Sequence, residues 1–363
     1  MNVEPRLAAL RRRLKDADAP AVLVTDVSNL RYLTGFDDVI DDGINAACLL
    51  TPDVARFYTD SRYVEAARAA ALGGPWEIRL QQENLYVELC EELKDEEIEP
   101  LLVESSMPYG RFTFISEQFY GAVRAVDHFV EEVRRIKEPE EIERIAAAAA
   151  IADEAFVHVC GILAPGVTER EIALELEYVM RKNGADAAMP FPPIVAAGPN
   201  SAHPHAIPGE RPMADGDLVV LDCGARVGGY CSDMTRTVVI GSADAEQRRL
   251  YDAVLAANEA GLAAVRSGLP CVQADAAARD VLEARGLGEY FTHGLGHGVG
   301  LDVHEPPTVG RRSHESLRAG SVVTVEPGVY VEGLGGVRIE DLVVVEEHGH
   351  RLLSTSHKHL IEL

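Results

Sequence analysis

The sequence predicts an α/β (α+β) protein with a smaller N-terminal domain and a larger C-terminal domain. Three observations predict this fold class: the length, an alternation of strands and helices in the first third, and two matching hairpins in the remainder, each preceded by two helices. A chain of 363 residues exceeds the usual size of one domain, and two domains are the expected number.

Short apolar segments alternate with helical patterns in the first third of the chain. Leu7, Leu10 and Leu14 recur at helical spacing among arginines, which predicts an amphipathic first helix. Strands are predicted at Ala21–Val24, Ala46–Thr51, Arg56–Thr59, Trp76–Leu80 and Leu101–Val103, and helices at Tyr63–Ala71, Glu83–Leu93 and Phe112–Tyr120. This alternation is typical of a compact α/β domain.

A domain boundary is predicted just before the segment that leads to Pro139, with domains at 1–134 and 135–363. Pro139 suits the first turn of a helix, and Glu140 and Glu141 complement the helix dipole there. Thr168 and Glu171 form a capping box that begins a second helix, Thr168–Asn183.

Composition and pattern also predict the remaining elements of the second domain. The segment Pro190–Pro212 is rich in Pro, Gly and His, which predicts a loop or an edge strand. Helices predicted at Glu246–Ser267 and Cys271–Arg285 separate the two hairpins. The order helix, helix, hairpin therefore occurs twice, as in an internal duplication.

Composition narrows the possible partners. With 34 Lys and Arg against 59 Asp and Glu, the formal net charge of -25 repels nucleic acids and anionic membranes. The chain has no apolar run long enough to cross a bilayer and no signal-peptide pattern at its start, so we expect a cytoplasmic protein. The six cysteines contain no C-x-x-C pair and are expected to be reduced, with Cys231 packed in the core.

Each hairpin carries two carboxylates at strand positions where aliphatic residues are expected. Asp222 and Asp233 flank the first Gly-rich turn, and Glu326 and Glu340 flank the second. An isolated Asp-x-Gly is most often an ordinary turn, but both hairpins place a carboxylate after an apolar run. Because a buried unpaired carboxylate costs several kcal/mol, such a cluster needs counter-charge, and two divalent cations supply it most simply.

Histidines concentrate in two irregular segments. His293, His297 and His304 lie in a Gly-rich stretch that does not favour a helix, and His203 and His205 lie in the Pro-rich loop. A lone histidine is more often structural than functional. One imidazole with four carboxylates suits Mn²⁺, with Co²⁺, Zn²⁺ or Fe²⁺ also possible, and indicates a catalytic rather than a structural site.

These residues and their neighbours, Gly229–Arg236 and Gly336–Asp341, resemble the pita-bread metallopeptidases, which include aminopeptidase P, prolidase, methionine aminopeptidase and the metal-free creatinase. The resemblance implies a creatinase-like N-terminal domain and a pita-bread catalytic domain with a pseudo-twofold duplication. It also implies five metal ligands: Asp222, Asp233, His297, Glu326 and Glu340.

The N-terminal domain, the His293 to His297 spacing and the loop from Pro190 to His205 resemble the proline-directed branch. This likeness implies Xaa-Pro aminopeptidase or Xaa-Pro dipeptidase activity on small peptides, in a protein that forms a homodimer. The residues Pro192 and Pro193 depart from the family's loop, so the resemblance does not determine the shape of the substrate subsite.

The resemblance further implies roles for individual residues. Asp233 and Glu340 would bridge the two ions, Asp222 would bind one, and His297 with Glu326 the other. Glu326 would also move a proton to the leaving nitrogen. Non-ligand active-site residues would be His205, His293, His304 and Arg338. The alternatives are another aminopeptidase, such as methionine aminopeptidase, and a non-catalytic binding protein.

Overall fold

The computed structural model describes residues 2–37, 39–41 and 43–363. They form two compact units, Met1–Arg134 and Arg135–Leu363. Within the described residues, no helix combines the length and apolar character needed to span a membrane.

The described residues of the first unit form one mixed sheet and six helices. Its strands are β1 (Ala21–Val24), β2 (Ala46–Leu50), β3 (Ala55–Thr59), β4 (Glu77–Leu80), β5 (Leu101–Glu104) and β6 (Val123–Val126). Its helices are α1 (Glu4–Asp16), α2 (Val27–Thr34), α3 (Val64–Ala70), α4 (Leu85–Asp95), α5 (Tyr109–Gln118) and α6 (Glu131–Arg134). The strand order is β4-β3-β2-β1-β5-β6.

Sequence pattern explains most of this unit. β1 pairs in antiparallel fashion with β2 and in parallel fashion with β5, and all four of its residues are buried, as expected of a central apolar strand. α1 buries Leu7, Leu10 and Leu14, which confirms the predicted amphipathic helix. The other predicted strands and helices are also confirmed, with shifts of one to three residues at their ends.

Three elements of the first unit were not predicted: α2, β6 and the single-turn helix α6. α2 carries several polar residues and is held by its caps: the Asp26 carboxylate accepts from the Asn29 N–H, and Gly35 ends the helix with φ of 66°. β6 pairs only with β5, at the edge of the sheet. Its side chains are only partly buried or exposed, so it has no apolar signature.

The second unit repeats a pattern of two helices followed by a sheet. Its helices are α7 (Pro139–Cys160), α8 (Glu169–Lys182), α9 (Ala245–Ala264) and α10 (Cys271–Ala284), with short 3-10 helices at Gly198–Ala202 and Gly288–Tyr290. Its strands are β7 (Ile194–Ala197), β8 (Leu218–Cys223), β9 (Arg226–Val227), β10 (Tyr230–Cys231), β11 (Met234–Val239), β12 (Gly296–Gly298), β13 (Glu305–Val309), β14 (Val322–Val325), β15 (Gly328–Val331), β16 (Gly335–Arg338), β17 (Asp341–Glu346), β18 (Gly349–Leu352) and β19 (Ile361–Glu362).

The helix starts follow the predicted capping. Pro139 opens α7, and Glu141 accepts from the backbone N–H of Glu138 at 2.8 Å in a capping box. Thr168 and Glu171 form the predicted capping box of α8. The predicted helices between the two hairpins are confirmed as α9 and α10.

The two sheets have the orders β19-β11-β8-β7 and β13-β12-β14-β17-β18. β7 is an edge strand, which confirms one of the two states predicted for the Pro-rich segment. Each sheet contains one antiparallel pair from which a small two-stranded hairpin extends: β9–β10 from the pair β8–β11, and β15–β16 from the pair β14–β17.

These strand pairs explain where the four carboxylates stand. Asp222 lies in β8 opposite Thr235, and Asp233 directly precedes β11. Val325 pairs with Asp341, so Glu326 directly follows β14 and Glu340 directly precedes β17. Each carboxylate therefore stands at or next to the point where a strand pair opens into its hairpin.

The Gly-rich segment around His297 forms β12, between β13 and β14. A Cβ atom at Gly296 would lie only 2.1 Å from the carbonyl oxygen of Thr324. Only glycine allows this close approach of the two backbones. The predicted absence of a helix here is confirmed, and the close packing brings His297 next to the end of β14.

Candidate active site

The structure brings together the five side chains predicted as metal ligands. Ligand-type atoms of Asp222, Asp233 and Glu340 lie within 4.8 Å of one another, and so do those of His297, Glu326 and Glu340. Because Glu340 belongs to both groups, two cations bound in these positions would share it.

His297 is oriented by β12 and β14. Its ring nitrogen Nδ1 lies 3.1 Å from the carbonyl oxygen of Gly298, which leaves Nε2 facing the carboxylates. Nε2 is 3.2 Å from Oε1 of Glu326 and 3.6 Å from Oδ2 of Asp233. The Thr324 hydroxyl accepts from the His297 backbone N–H and donates to Oε1 of Glu326, both at 3.1 Å. One threonine thus orients both side chains.

Three of the carboxylates, Asp222, Asp233 and Glu340, are buried, and the members of the cluster repel one another. Burial raises the pKa of Asp222, and it raises the pKa values of Asp233 and Glu340 well above the usual carboxyl range, with neighbouring carboxylates adding to the effect. Full ionisation of this cluster therefore requires added positive charge.

Glu326 and His297 behave as an ion pair. Burial acts to raise the pKa of Glu326, but the hydrogen bond and charge of His297 lower it to about 2. Burial acts to lower the pKa of His297, but Glu326 and then Glu340 raise it to about 9. A metal ion on Nε2 would take the place of this proton.

The residues present fit divalent cations. Oδ1 of Asp222 is buried and has no hydrogen-bond partner among the described residues. Such an orphaned acceptor is costly unless a cation or an ordered water satisfies it. Carboxylate oxygens with one imidazole are a donor set that suits hard and borderline divalent ions.

Arg338 connects two of the carboxylates. Its Nη2 donates to Oδ2 of Asp222 at 2.6 Å, and its Nε donates to the Thr235 hydroxyl at 3.0 Å. Thr235 in turn donates to Oε2 of Glu340 at 2.7 Å. Arg338 therefore fixes Asp222 directly and Glu340 through Thr235, as groups next to metal ligands commonly do.

Tyr330 joins Arg338 to His293. The Tyr330 hydroxyl accepts from Nη1 of Arg338 at 2.7 Å and lies 3.1 Å from Nε2 of His293. Nδ1 of His293 lies 2.8 Å from the carbonyl oxygen of Gly294. Burial lowers the pKa of His293, so a neutral imidazole completes this chain of contacts at neutral pH.

His205 and His304 are exposed and line the cavity that contains the carboxylates. The His304 ring centroid lies 4.3 Å from that of His297, and a ring nitrogen of His304 lies within 4.8 Å of ligand-type atoms of Asp233 and His297. The structure thus places His304, predicted as a non-ligand, within ligand distance. Burial and the charge of His297 lower the pKa of His304.

The cavity has a volume of about 660 Å³ and one apolar wall. This size lies within the usual range for small-molecule sites. The apolar wall includes Phe191, Pro192, Pro193 and Ile207, and the isoleucine side chain is 84% exposed.

Sequence reasoning missed Thr235, Thr324 and Tyr330. Thr324 had one available signal, because it is the single polar residue of the apolar strand β14 and lies two residues before Glu326. Thr235 had none, because its strand β11 also contains Arg236 and Thr237. Tyr330 gave no sequence signal of a functional role, because aromatic residues are common in strands.

Comparison with known proteins identifies the family. Residues 143–347 match metallopeptidase family M24, and residues 6–136 match the Creatinase/Prolidase N-terminal domain. The chain belongs to metallopeptidase family M24. It is thus a metallopeptidase with a creatinase-type N-terminal domain and a pita-bread catalytic domain, and its family uses divalent metal ions.

Three relatives of this M24 protein are informative. A Xaa-Pro dipeptidase of Pyrococcus horikoshii is 36% identical over 350 residues, which cover 94% of each chain. The structure of a Xaa-Pro dipeptidase from Bacillus anthracis has a TM-score of 0.95 and 37% identity and covers 100% of both chains. That of an X-Pro aminopeptidase from Thermotoga maritima has a TM-score of 0.88 and 32% identity and covers 98% of this chain and 99% of its own.

These relatives favour the proline-directed branch. A methionine aminopeptidase and a non-catalytic binding protein, the two alternatives raised by the sequence, are not favoured.

Proposed function

We propose that this M24 metallopeptidase hydrolyses the peptide bond between an N-terminal residue and a following proline in small peptides. The observation that carries the proposal is the convergence of four carboxylates and His297 in one cavity, in a chain that matches the family over both units. The names of its relatives support the choice of proline at the second position.

The five converging residues are proposed as ligands of two divalent cations. Asp222, Asp233 and Glu340 would hold one ion, and His297, Glu326 and Glu340 the other, with Asp233 also placed to reach the second. Four of the five ligands are carboxylates, which favours Mn²⁺. When bound, the cations would lower the pKa of a water molecule and polarise the scissile carbonyl group.

The other side chains of the cavity position the substrate and move protons. Glu326, whose Oε1 contacts Thr324, would accept a proton and pass it to the leaving proline nitrogen. His304 and His205 would donate hydrogen bonds to the carbonyl oxygen as it gains negative charge. A lowered pKa suits His304 for this task, because a neutral imidazole keeps one N–H donor. His293 and Arg338 would orient the groups around them.

The apolar wall offers a surface for the proline ring. Phe191, Pro192, Pro193 and Ile207 present carbon atoms to the cavity. Burying the ring against them would favour binding through the hydrophobic effect. The rigid Pro192-Pro193 pair would fix the shape of this subsite.

The test is hydrolysis of Ala-Pro and Ala-Pro-Ala by metal-stripped protein before and after Mn²⁺ loading. We expect turnover only with Mn²⁺, loss of turnover on chelation, and loss of both metal and activity in Glu340→Gln. Glu246→Gln changes an exposed carboxylate paired with Arg249 and serves as the control. Unchanged turnover by Glu340→Gln, or a preference for Met-Ala-Ala over both proline peptides, would contradict the proposal.

We further propose a homodimer located in the cytoplasm. The six cysteines form no disulfide in the structure, as in proteins of reducing compartments. Light scattering of the purified protein tests the dimer, and fractionation of the source cells tests the location.

A further inference from the structure

A buried polar network touches the strands that carry Glu326 and Glu340. We call it the Asn258 network, and its members are Arg236, Asn258, Asp341 and Lys358. The first three are buried, and Lys358 has 23% of its side chain exposed. None of the four lines the cavity that contains the carboxylates.

Asn258, on α9, joins the two ligand-bearing segments. Its Nδ2 donates to the carbonyl oxygen of Val325 at 3.0 Å and to that of Ile339 at 3.3 Å. Val325 directly precedes Glu326, and Ile339 directly precedes Glu340. A single amide group therefore holds the backbone next to two of the proposed ligands.

Lys358 selects the orientation of that amide. Its Nζ donates to Oδ1 of Asn258 at 3.0 Å and to Oδ2 of Asp341 at 2.9 Å. An ammonium group can only donate, so it must face the amide oxygen and leaves the NH₂ group to the two carbonyls. Lys358 and the two carbonyl oxygens therefore favour the same orientation of the amide, and Lys358 holds its oxygen in place.

Arg236 and Asp341 extend the network to the backbone of Glu340. Nη2 of Arg236 donates to Oδ1 of Asp341 at 2.8 Å, and Nη1 donates to the main-chain carbonyl oxygen of Glu340. Nε and Nη2 of Arg236 also donate to the carbonyl oxygen of Ser356, at 3.2 and 2.8 Å. The C-terminal segment that contains Ser356 and Lys358 is thus linked to the ligand strands at several points.

Buried ion pairs of this kind contribute little net stability, because desolvation offsets their attraction. The contacts of this network with the carbonyl oxygens of Val325, Ile339 and Glu340 instead restrain the backbone of the two ligand-bearing segments. A metal centre responds strongly to such restraints, since loss of a group that orients a ligand commonly weakens metal affinity about 10–100-fold.

We propose that Asn258 and Lys358 are positioning residues that set the metal affinity of the centre by fixing the backbone at Glu326 and Glu340. The inference rests on the proposed function, because it assumes that these two glutamates bind cations. Through Lys358, the segment Ser354–His359 becomes part of the metal site although none of its residues touches the carboxylate cluster directly.

The test compares the Mn²⁺ affinity of metal-stripped wild type, Lys358→Met and Asn258→Ala by titration calorimetry. We expect both variants to bind Mn²⁺ about 10–100-fold more weakly, with kcat recovering at saturating Mn²⁺. His359→Ala is the matched control, because His359 is an exposed neighbour of Lys358 in the same segment. Its affinity should equal that of the wild type.

Circular dichroism and the thermal midpoint of the metal-free proteins separate positioning from a purely structural role. A lower midpoint with wild-type Mn²⁺ affinity in both variants would overturn the inference. If Lys358→Met does not fold, the same comparison of Mn²⁺ affinity and thermal midpoint is made for Asn258→Ala alone, because that variant keeps every charge. Wild type that binds no Mn²⁺ would instead refute the proposed function, so the two failures are distinguishable.

Discussion

The guanidinium group of Arg338 lies 2.6 Å from Oδ2 of Asp222, while Oδ1 of the same carboxylate is buried without a hydrogen-bond partner among the described residues. One oxygen is therefore neutralised by a protein cation, and the other has no hydrogen-bond partner among the described residues. This division explains how a buried aspartate can remain available to a metal ion. It also makes the exact shape of Arg338 important.

Arg338→Lys should lower kcat/KM about 10–100-fold, because a single ammonium cannot reach Asp222, Thr235 and Tyr330 at once. Steady-state hydrolysis of Ala-Pro with saturating Mn²⁺ measures the effect. The control is Arg248→Lys, which changes an exposed arginine paired with Glu362. Equal kcat/KM for Arg338→Lys and wild type would show that the forked contact has no role.

Metal removal should destabilise the protein through the carboxylate cluster. A cation at 100 times its Kd stabilises the folded state by about 2.7 kcal/mol, which corresponds to a rise of roughly 5–10 °C in Tm for a domain of 150–250 residues. Differential scanning calorimetry with Mn²⁺ and with chelator measures this rise.

Glu340→Gln should abolish the stabilisation by Mn²⁺ without destabilising the metal-free protein. Burial and neighbouring carboxylates raise the pKa of Glu340 well above its usual range, so its charge is unfavourable without a metal. We therefore expect the metal-free variant to be at least as stable as metal-free wild type, yet to gain no stability from Mn²⁺. A wild-type rise in Tm in this variant would exclude Glu340 as a ligand.

The sequence predicted the five proposed ligands and the neighbouring Arg338, but not the other groups that orient them. Asp222, Asp233, Glu326 and Glu340 were recognisable because a carboxylate next to an apolar strand conflicts with burial unless something compensates it. Asn258 gave no such signal, because a polar residue on a long helix is usually solvent-facing. Its two acceptors lie on other elements, and this contact depends on the tertiary fold.

In the first unit, too, some elements were predictable from the sequence pattern and others were not. Central strands such as β1 were predictable from continuous apolar residues. β6 was not, because an edge strand with partly exposed side chains depends on backbone pairing with β5 rather than on an apolar pattern.

The exposed side chain of Ile207 should contribute to substrate binding. Burying an isoleucine against a ligand is worth about 1.5–3 kcal/mol at most, and part of that gain is lost in Ile207→Ser. We expect KM for Ala-Pro to rise about tenfold, which equals about 1.4 kcal/mol, with kcat nearly unchanged. Leu174→Ser, at an exposed leucine of α8, is the control. A fall in kcat at unchanged KM would mean that Ile207 acts on the chemistry instead.

Glu104 should make the first unit less stable as the pH rises. Its Oε2 accepts from the backbone N–H groups of Thr25 and Asp26, at 2.7 and 2.9 Å, and its Oε1 accepts from Nδ2 of Asn29 at 2.7 Å. Burial nevertheless outweighs these donors and raises the pKa of Glu104 to about 7.

The direction of the effect follows from proton binding. Between pH of about 4.5 and 7 the folded protein retains a proton on Glu104 that the unfolded chain has lost, so the free energy of unfolding falls as the pH rises. Over this pH range the raised pKa of Glu104 contributes about 3 kcal/mol to the free energy of unfolding. The contribution is fully present below the pKa of Glu104 in the unfolded chain, and it is lost as the pH rises through the pKa of Glu104 in the folded protein.

Urea unfolding of wild type and Glu104→Gln from pH 5 to pH 8 isolates this contribution. Glutamine is neutral throughout, and both proteins carry the same active-site carboxylates, so the pH dependence of those groups cancels in the difference. We expect the wild type to lose stability relative to Glu104→Gln by about 2–3 kcal/mol across this range. Glu117→Gln, at an exposed residue of α5, is the control. A difference between wild type and Glu104→Gln that stays constant with pH would mean that the three donors keep Glu104 ionised, and that hydrogen bonding rather than burial decides its charge.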